Sequence, residues 1–422
     1  MQSKCHTRYV WQLPICADFQ VANRSGPLDN WHMPLKVLIV PDKFKGTLTA
    51  RAAAGAIAAG WRKARPRDVL QLLPMSDGGD GFGDVVSARL HAEARTVKTV
   101  DAAHRPCEAR WWWEPKSKTA IIESARVIGL AMLPTGRFHP FDLDTFGLGA
   151  VISAMRAEGA KRLLVGIGGS ATNDGGFGLA RALGWKFFDK SGKLIERWTR
   201  LDALTRIRPP KRRKVGKPII AVDVQNRLLG PRGATRVYGP QKGLHSADFA
   251  LVERCLRQLA RVVRKQLGRD YARQPGSGAA GGLGFGLMAF LGARLEPGFA
   301  LFARHAKLWR CLRTADLVIT GEGAIDRSTL MGKGVGQIAL TCRKLKTPCL
   351  GLAGGVVEPA TINPRFTEVR ALTELTTVER AKAKAAFWLE RLAEKAAREI
   401  GNPADNATRG LQPPAGVPTV LP

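Results

Sequence analysis

The chain has 422 residues, 45% hydrophobic and 24% charged, the balance of a globular protein, which excludes a wholly disordered one. Its 66 Lys and Arg against 35 Asp and Glu leave a formal net charge of +31, so the surrounding field attracts anions: nucleic acid, an anionic membrane or small acidic substrates. No apolar run approaches the ~20 residues of a membrane helix. The seven cysteines are odd in number and form no C-x-x-C pair, which argues against a disulfide framework or a zinc site and for a soluble protein of the reducing cytoplasm.

Residues 1–33 lack the apolar segment of a secretory signal and carry Asp18 and Asp29. They are expected to be a non-structural extension, with the true start at Met33. Leu35-Lys36-Val37-Leu38-Ile39-Val40 then reads as a strand, the alanine-rich segment Leu48 to Lys63 as a helix, and Val69 to Leu73 as a second strand. Strand, helix and strand with glycine-rich loops at the strand ends open a parallel α/β sheet, which binds ligands beyond the carboxyl ends of its strands. Asp42 and Asp77 fall at that edge.

Trp111-Trp112-Trp113 and Ala120-Ile121-Ile122-Glu123 read as shorter strands of a different domain. Strand alternation separates Trp112 from its two neighbours, which predicts core packing rather than stacking on a base. Beyond Gly286 the first pattern returns, with a strand Ala315 to Thr320 ending in Gly321-Glu322-Gly323 and another, Cys349 to Ala353, ending in Gly354-Gly355. Near the end, Thr376 and Glu379 make a capping box for a helix that carries Ala381, Ala385, Trp388 and Leu392 on one face and closes at Gly401. The predicted fold is therefore α/β with two unequal domains. A doubly wound parallel-sheet domain over 34–90 and 287–400 is interrupted by an inserted α/β domain over 91–286, with the active site in the cleft between them and a disordered tail over 401–422.

The charge excess sits largely in Lys211-Arg212-Arg213-Lys214 and in the amphipathic stretch Arg254 to Lys265, without interleaved aromatics. These read as a solvated loop and a solvated helix face. A basic nucleic-acid-associated α/β protein without enzymatic activity is the alternative class, but no RNA- or DNA-binding signature accompanies the charge and acidic loops stand at the strand ends.

The most informative run is Gly166-Ile167-Gly168-Gly169-Ser170-Ala171-Thr172-Asn173-Asp174-Gly175-Gly176, between the strand Leu163-Leu164-Val165 and a helical segment from Phe177. Glycines and small polar residues at a strand-to-helix turn bring backbone N–H groups and a helix N-terminus to one place, which suits a phosphate or a carboxylate. The chain has no G-x-x-x-x-G-K-[ST] loop, no H-R-D signature and no G-x-G-x-x-G after the first strand, so a P-loop, a protein-kinase site and a dinucleotide-dependent dehydrogenase are all disfavoured.

That run, with Pro41-Asp42-Lys43-Phe44-Lys45-Gly46-Thr47-Leu48, Pro74-Met75-Ser76-Asp77-Gly78-Gly79-Asp80-Gly81, Asp223-Val224-Gln225-Asn226, Gly239-Pro240-Gln241-Lys242-Gly243, Gly278-Ala279-Ala280-Gly281-Gly282-Leu283-Gly284 and Ile319-Thr320-Gly321-Glu322-Gly323-Ala324-Ile325-Asp326, resembles the type I glycerate kinase family (glycerate 2-kinase) in family order. The resemblance implies ATP and Mg2+ as cofactors and phosphorylation of (R)-glycerate at its 2-hydroxyl. It differs from the family in Lys43 for Ser, Asp80 for Glu, and a more acidic loop His139-Pro140-Phe141-Asp142-Leu143-Asp144-Thr145.

With the resemblance, Lys45 and Lys242 become candidates for neutralising a phosphate or the glycerate carboxylate. Asp174 is the expected base near the 2-hydroxyl and Asp223 the second choice, because a carboxylate placed by backbone and partly desolvated gains basicity. Asp42, Gly168, Gly169, Ser170, Thr172, Asn173, Gly281 and Gly282 are expected at substrate or nucleotide. Asp77, Glu322 and Asp326 are candidate magnesium ligands, helix capping being an equal alternative for the last two. The histidines, His104 among them, read as isolated, and the oligomeric state, monomer or homodimer, stays open.

Overall fold

A computed structural model describes residues 34–76, 78–79, 81–211, 216–330 and 334–400. Its strands, in chain order, are β1 (Lys36–Ile39), β2 (Val69–Leu72), β3 (Glu93–Val100), β4 (Pro106–Glu114), β5 (Thr119–Glu123), β6 (Arg162–Gly166), β7 (Lys186–Phe188), β8 (Arg206–Arg208), β9 (Lys217–Ala221), β10 (Arg294–Glu296), β11 (Leu317–Ile325), β12 (Cys349–Val356) and β13 (Glu368–Ala371). The chain divides into two compact units, one formed by the residues up to Pro74 with those from Arg310 onward, the other by Met75–Trp309. Residues 75–90 and 287–309, expected with the first domain, pack in the second unit.

In the first unit a wholly parallel sheet runs in the order β13-β12-β11-β1-β2. Its central strands β1, β11 and β12 are largely buried, as a sheet covered on both faces requires. Val37, Ile39, Leu317 and Ile319 share a core with Ile57 and Trp61 of the helix Ala50–Ala64 and with Leu389 and Leu392 of the helix Ala385–Ile400. Thr49 caps the first helix by accepting from the Ala52 amide at 3.1 Å. At its far end Asp68 accepts from the Trp61 indole at 2.9 Å and from the Leu35 amide at 3.0 Å, joining helix end to strand start.

Two expectations are corrected in this unit. β11 and β12 do not end at their glycines but run through them, pairing Glu322 with Ala353 and Ala324 with Gly355. The glycines permit the close approach, since a Cβ on Gly321 would lie 1.9 Å from the Leu352 carbonyl oxygen. The cap near the end of the chain is Thr377, which accepts from the Arg380 amide at 3.4 Å, rather than Thr376. The helix Val378–Ala383 breaks at Lys384 before the helix Ala385–Ile400, and Gly401 lies outside the described residues.

The second unit is built on a mixed sheet in the order β10-β9-β6-β5-β4-β3, parallel from β10 to β5 and antiparallel beyond. Alternation along β4 does divide the tryptophans. Trp111 and Trp113 lie in the core with Ile122, Val151 and Val165, whereas Trp112 lies on the other face with Phe82, Ile121, Leu164 and Leu301. That contact is why Phe82–Leu90 belongs to this unit. On the helix Phe249–Leu267, Val252, Leu256, Leu259 and Val263 are buried and Arg254, Arg257, Arg261, Arg264 and Lys265 are exposed, the solvated face the sequence implies. Arg212, Arg213 and Lys214 lie outside the described residues.

Trp112→Ala removes the largest ring of its cluster and is expected to destabilise by about 3–5 kcal/mol, seen as a lower urea midpoint. An unchanged midpoint would show that the ring is not part of a cooperative core.

Candidate active site

The glycine-rich run leaves the carboxyl end of β6, between β5 and β9 in the sheet, and its first half is pinned by an irregular edge. The Leu130 amide donates to the Gly169 carbonyl at 2.9 Å and the Ala171 amide to the Ile128 carbonyl at 2.8 Å. Gly168 is half-buried and Gly169 exposed, whereas 170–180 are buried throughout. The second half lies against the start of the helix Ala279–Leu291, where Ala280, Gly281 and Gly282 all have positive φ. A Cβ on Gly281 would sit 1.9 Å from the Thr172 carbonyl oxygen, so only glycine allows the two backbones to meet, and the Gly175 amide donates to the Gly281 carbonyl at 3.1 Å. The two glycine motifs are thus halves of one backbone contact.

Asp174 anchors this contact. It is fully enclosed, and its carboxylate accepts from the Thr145 amide at 3.0 Å, the Thr145 hydroxyl at 2.7 Å, the Gly178 amide at 2.8 Å and the Gly176 amide at 3.2 Å. Thr145 passes the link on, its hydroxyl accepting from the Leu179 amide at 2.9 Å. Burial, then the charge of Asp144, raises the Asp174 pKa to about 6 against the hydrogen bonds that favour the ion.

Lys242 is brought in by the turn Pro240–Lys242 and is itself buried. Its ammonium donates to the Ser170 hydroxyl at 2.9 Å and to the Thr172 carbonyl at 2.7 Å. Burial lowers its pKa to about 7, while the Asp174 charge pulls it upward. Beside these contacts, the Thr172 hydroxyl and both amide atoms of Asn173 are buried and have no hydrogen-bond partner among the described residues. Unpaired buried polar groups are costly, and a native structure keeps them where a ligand or ordered water completes them. Asp223 stands apart at the end of β9, exposed, with one oxygen accepting from the Gly298 amide at 2.8 Å.

The remaining candidates among the described residues lie in the first unit. The Asp42 amide donates to the Gly321 carbonyl at 2.8 Å, Lys45 is exposed on the loop after β1, and the Phe44–Lys45 backbone lies against Gly323. Glu322 is buried and accepts from the Thr329 hydroxyl at 2.7 Å. Asp326 accepts from the Ser328 amide at 2.8 Å and the Thr329 amide at 3.2 Å, capping the helix Arg327–Leu330. Thr329 therefore couples the two carboxylates. Asp77 and Asp80 lie outside the described residues.

Sequence reasoning missed Thr145 and Glu123. Glu123 is buried at the end of β5 and accepts from the Gly81 amide at 2.6 Å and the Gly83 amide at 3.3 Å, at the start of the helix Phe82–Leu90. A protein carboxylate thus occupies an N-terminus that would otherwise attract a ligand anion. Neither residue carries a local signal, since each acts on a segment distant in the chain.

Fold and candidate site define an α/β protein whose strand-end loop gathers a buried ammonium, amide and hydroxyl groups with no hydrogen-bond partner among the described residues, and glycine backbone. The chain belongs to the glycerate kinase family, whose model matches residues 37–401. It is 38% identical over 324 residues to a glycerate kinase of Halalkalibacterium halodurans, covering 76% of this chain and 85% of that one. It is 35% identical over 357 residues to the glycerate 2-kinase of Escherichia coli (strain K12), covering 82% and 93%. A crystal structure from Salmonella typhimurium LT2, described as a glycerate kinase 2, matches with a TM-score of 0.72 at 30% identity and covers 89% of this chain and 100% of that one.

Lys242 gives the site a pH signature. Between about 7 and 10.5 the unfolded chain holds a proton that the folded chain has released, so this group makes stability rise with pH across that window. Lys242→Met is expected to remove that rise, roughly 2 kcal/mol or more of relative stability, in denaturant melts at pH 7 and pH 10. Parallel curves for the two proteins would mean that the ammonium is solvated.

Proposed function

We propose that this chain transfers the terminal phosphoryl group of ATP to (R)-glycerate at its 2-hydroxyl, giving 2-phosphoglycerate, in the cytoplasm. The observation that carries the reading is the buried Lys242 ammonium beside the unpaired Asn173 amide, a cation and a two-way hydrogen-bonding group suited to a small hydroxy acid. The relatives' names, glycerate kinase and glycerate 2-kinase, support the substrate and the position. No observation favours the nucleic-acid alternative.

Phosphoryl transfer needs charge on the phosphates, an oriented hydroxyl and an acceptor for its proton. Lys242 and Asn173 hold the glycerate carboxylate and hydroxyl, with Ser170 and Thr172 completing the cradle. Lys45, on its exposed loop, is the group that neutralises phosphate. Asp174 is already saturated by four donors, so its part is to hold the loop. Asp223, exposed at the end of β9, is the candidate acceptor for the hydroxyl proton.

For magnesium, Glu322 and Asp326 supply hard oxygen donors after the parallel core of β11. That fits an ion which needs only one or two protein carboxylates beside phosphate and water. Bound there, it would offset charge developing on the phosphates. Asp77 remains a third candidate from sequence.

Incubation with ATP, magnesium and D-glycerate followed by NMR of the product tests the reading: 2-phosphoglycerate is expected, and 3-phosphoglycerate or no turnover would overturn the assignment in part or in whole. Lys45→Ala is expected to lower kcat/KM by roughly 10²-fold, and near-wild-type kinetics would return Lys45 to solvent. Asp223→Asn should lower kcat by ~10²–10⁴-fold with Tm retained, whereas Asp174→Asn should lower Tm first. The reverse pattern, with kcat lost and Tm retained in Asp174→Asn, would make Asp174 the base.

A further inference from the structure

We propose that His104 and Asp144 form a positioning pair that acts on Asp174 and, through it, holds Thr172 and Asn173 in place. The inference deepens the glycerate reading, on which its kinetic arm rests.

The pair is built by two segments distant in the chain. The loop between β3 and β4 turns on Asp101, whose carboxylate accepts from the Ala103 amide at 2.8 Å and the Arg105 amide at 3.0 Å. That turn holds His104 at φ 58, a conformation uncommon for a residue with a side chain and sustained only where the surroundings impose it. The imidazole Nε2 then lies 3.0 Å from the Asp144 carboxylate, and the Asp144 amide donates to the Ala102 carbonyl at 3.0 Å, so the loop grips Asp144 by backbone and side chain together. The same Asp144 oxygen accepts from the Phe146 amide at 2.9 Å. The next residue is Thr145, which delivers both its amide and its hydroxyl to Asp174. A continuous path thus leads from a half-exposed imidazole to the buried carboxylate under the substrate loop.

The electrostatics give the pair its sign. Asp144 is the charge that opposes ionisation of Asp174, second only to burial, whereas the Lys242 ammonium, brought in by the turn Pro240–Lys242, favours it. His104 offsets that charge when protonated, and its own pKa is raised, chiefly by the hydrogen bond to Asp144. The other charges facing His104 are Asp101, on its own loop and paired with Arg105, and Arg181, from the helix Phe177–Ala182, which opposes protonation. With His104 charged, Asp174 keeps its ionised form and its donors. With His104 lost and Asp144 retained, Asp174 protonates at higher pH and gives up acceptor capacity, loosening Thr145 and the Thr172–Asn173 segment.

The test follows Asp174 itself, by titrating the carboxyl 13C resonances of chain labelled with [4-13C]aspartate and assigning Asp174 from the signal lost in Asp174→Asn. His104→Gln is expected to move the Asp174 midpoint up by about half a pH unit, Asp144→Asn to move it down, and the double variant to follow Asp144→Asn. The KM for glycerate should shift along pH in the same directions, with kcat changed less. Equal midpoints in wild type, His104→Gln and Asp144→Asn would overturn the proposal and leave the pair a brace for the loop. Opposed midpoint shifts in a chain that does not phosphorylate glycerate would keep the pair and reject the substrate.

Discussion

A carboxylate with no exposure to solvent, Asp174, is the constraint on which the site depends. Burying an anion is unfavourable unless hydrogen bonds repay its lost hydration, and here the repayment ties together parts of the second unit far apart in sequence. Donors come from the segment before the helix Leu148–Ala157, through Thr145, and from the start of the helix Phe177–Ala182, through Gly176 and Gly178. The backbone on either side then cannot move independently. Thr172 and Asn173 are held against Gly281, and Lys242 is drawn in on the Thr172 carbonyl.

Burial has opposite effects on the two charged groups of this cluster. It raises Asp174 to about 6 and lowers Lys242 to about 7, so both titrate close to neutrality. A second anion entering the cluster favours the ammonium form of Lys242, as any nearby negative charge does. Binding of an acidic substrate beside Lys242 would therefore be linked to charging of this lysine. The surface arginines, by contrast, contribute a general attraction for anions that screens with salt.

The first unit handles charge differently. Glu322 and Asp326 are each engaged by Thr329, and Asp326 also caps a short helix. The extension of β11 and β12 through their glycines places Glu322 on a paired strand rather than on a loop. A carboxylate on such a frame loses little entropy when it engages a ligand.

The sequence by itself determined the fold class, the parallel order of the first unit's elements and the division of the three tryptophans, because hydrophobic periodicity and glycine-punctuated strand ends are local signals. It also singled out the glycine runs, Lys242 and Asp174, which the fold brings into one cluster. Tertiary structure decided how they are joined. The run at Gly281 reads from sequence as a ligand cradle, and the structure adds a backbone contact between Gly281 and Thr172. His104 reads as isolated, yet it meets Asp144 forty residues on. Asp174 and Asp223 are alike in sequence as acids after a strand, but one is sealed under four donors and the other lies open to solvent. The physical reason is the same in each case: burial and hydrogen-bond partners come from distant segments, and they set whether a polar side chain holds the protein together or meets a ligand.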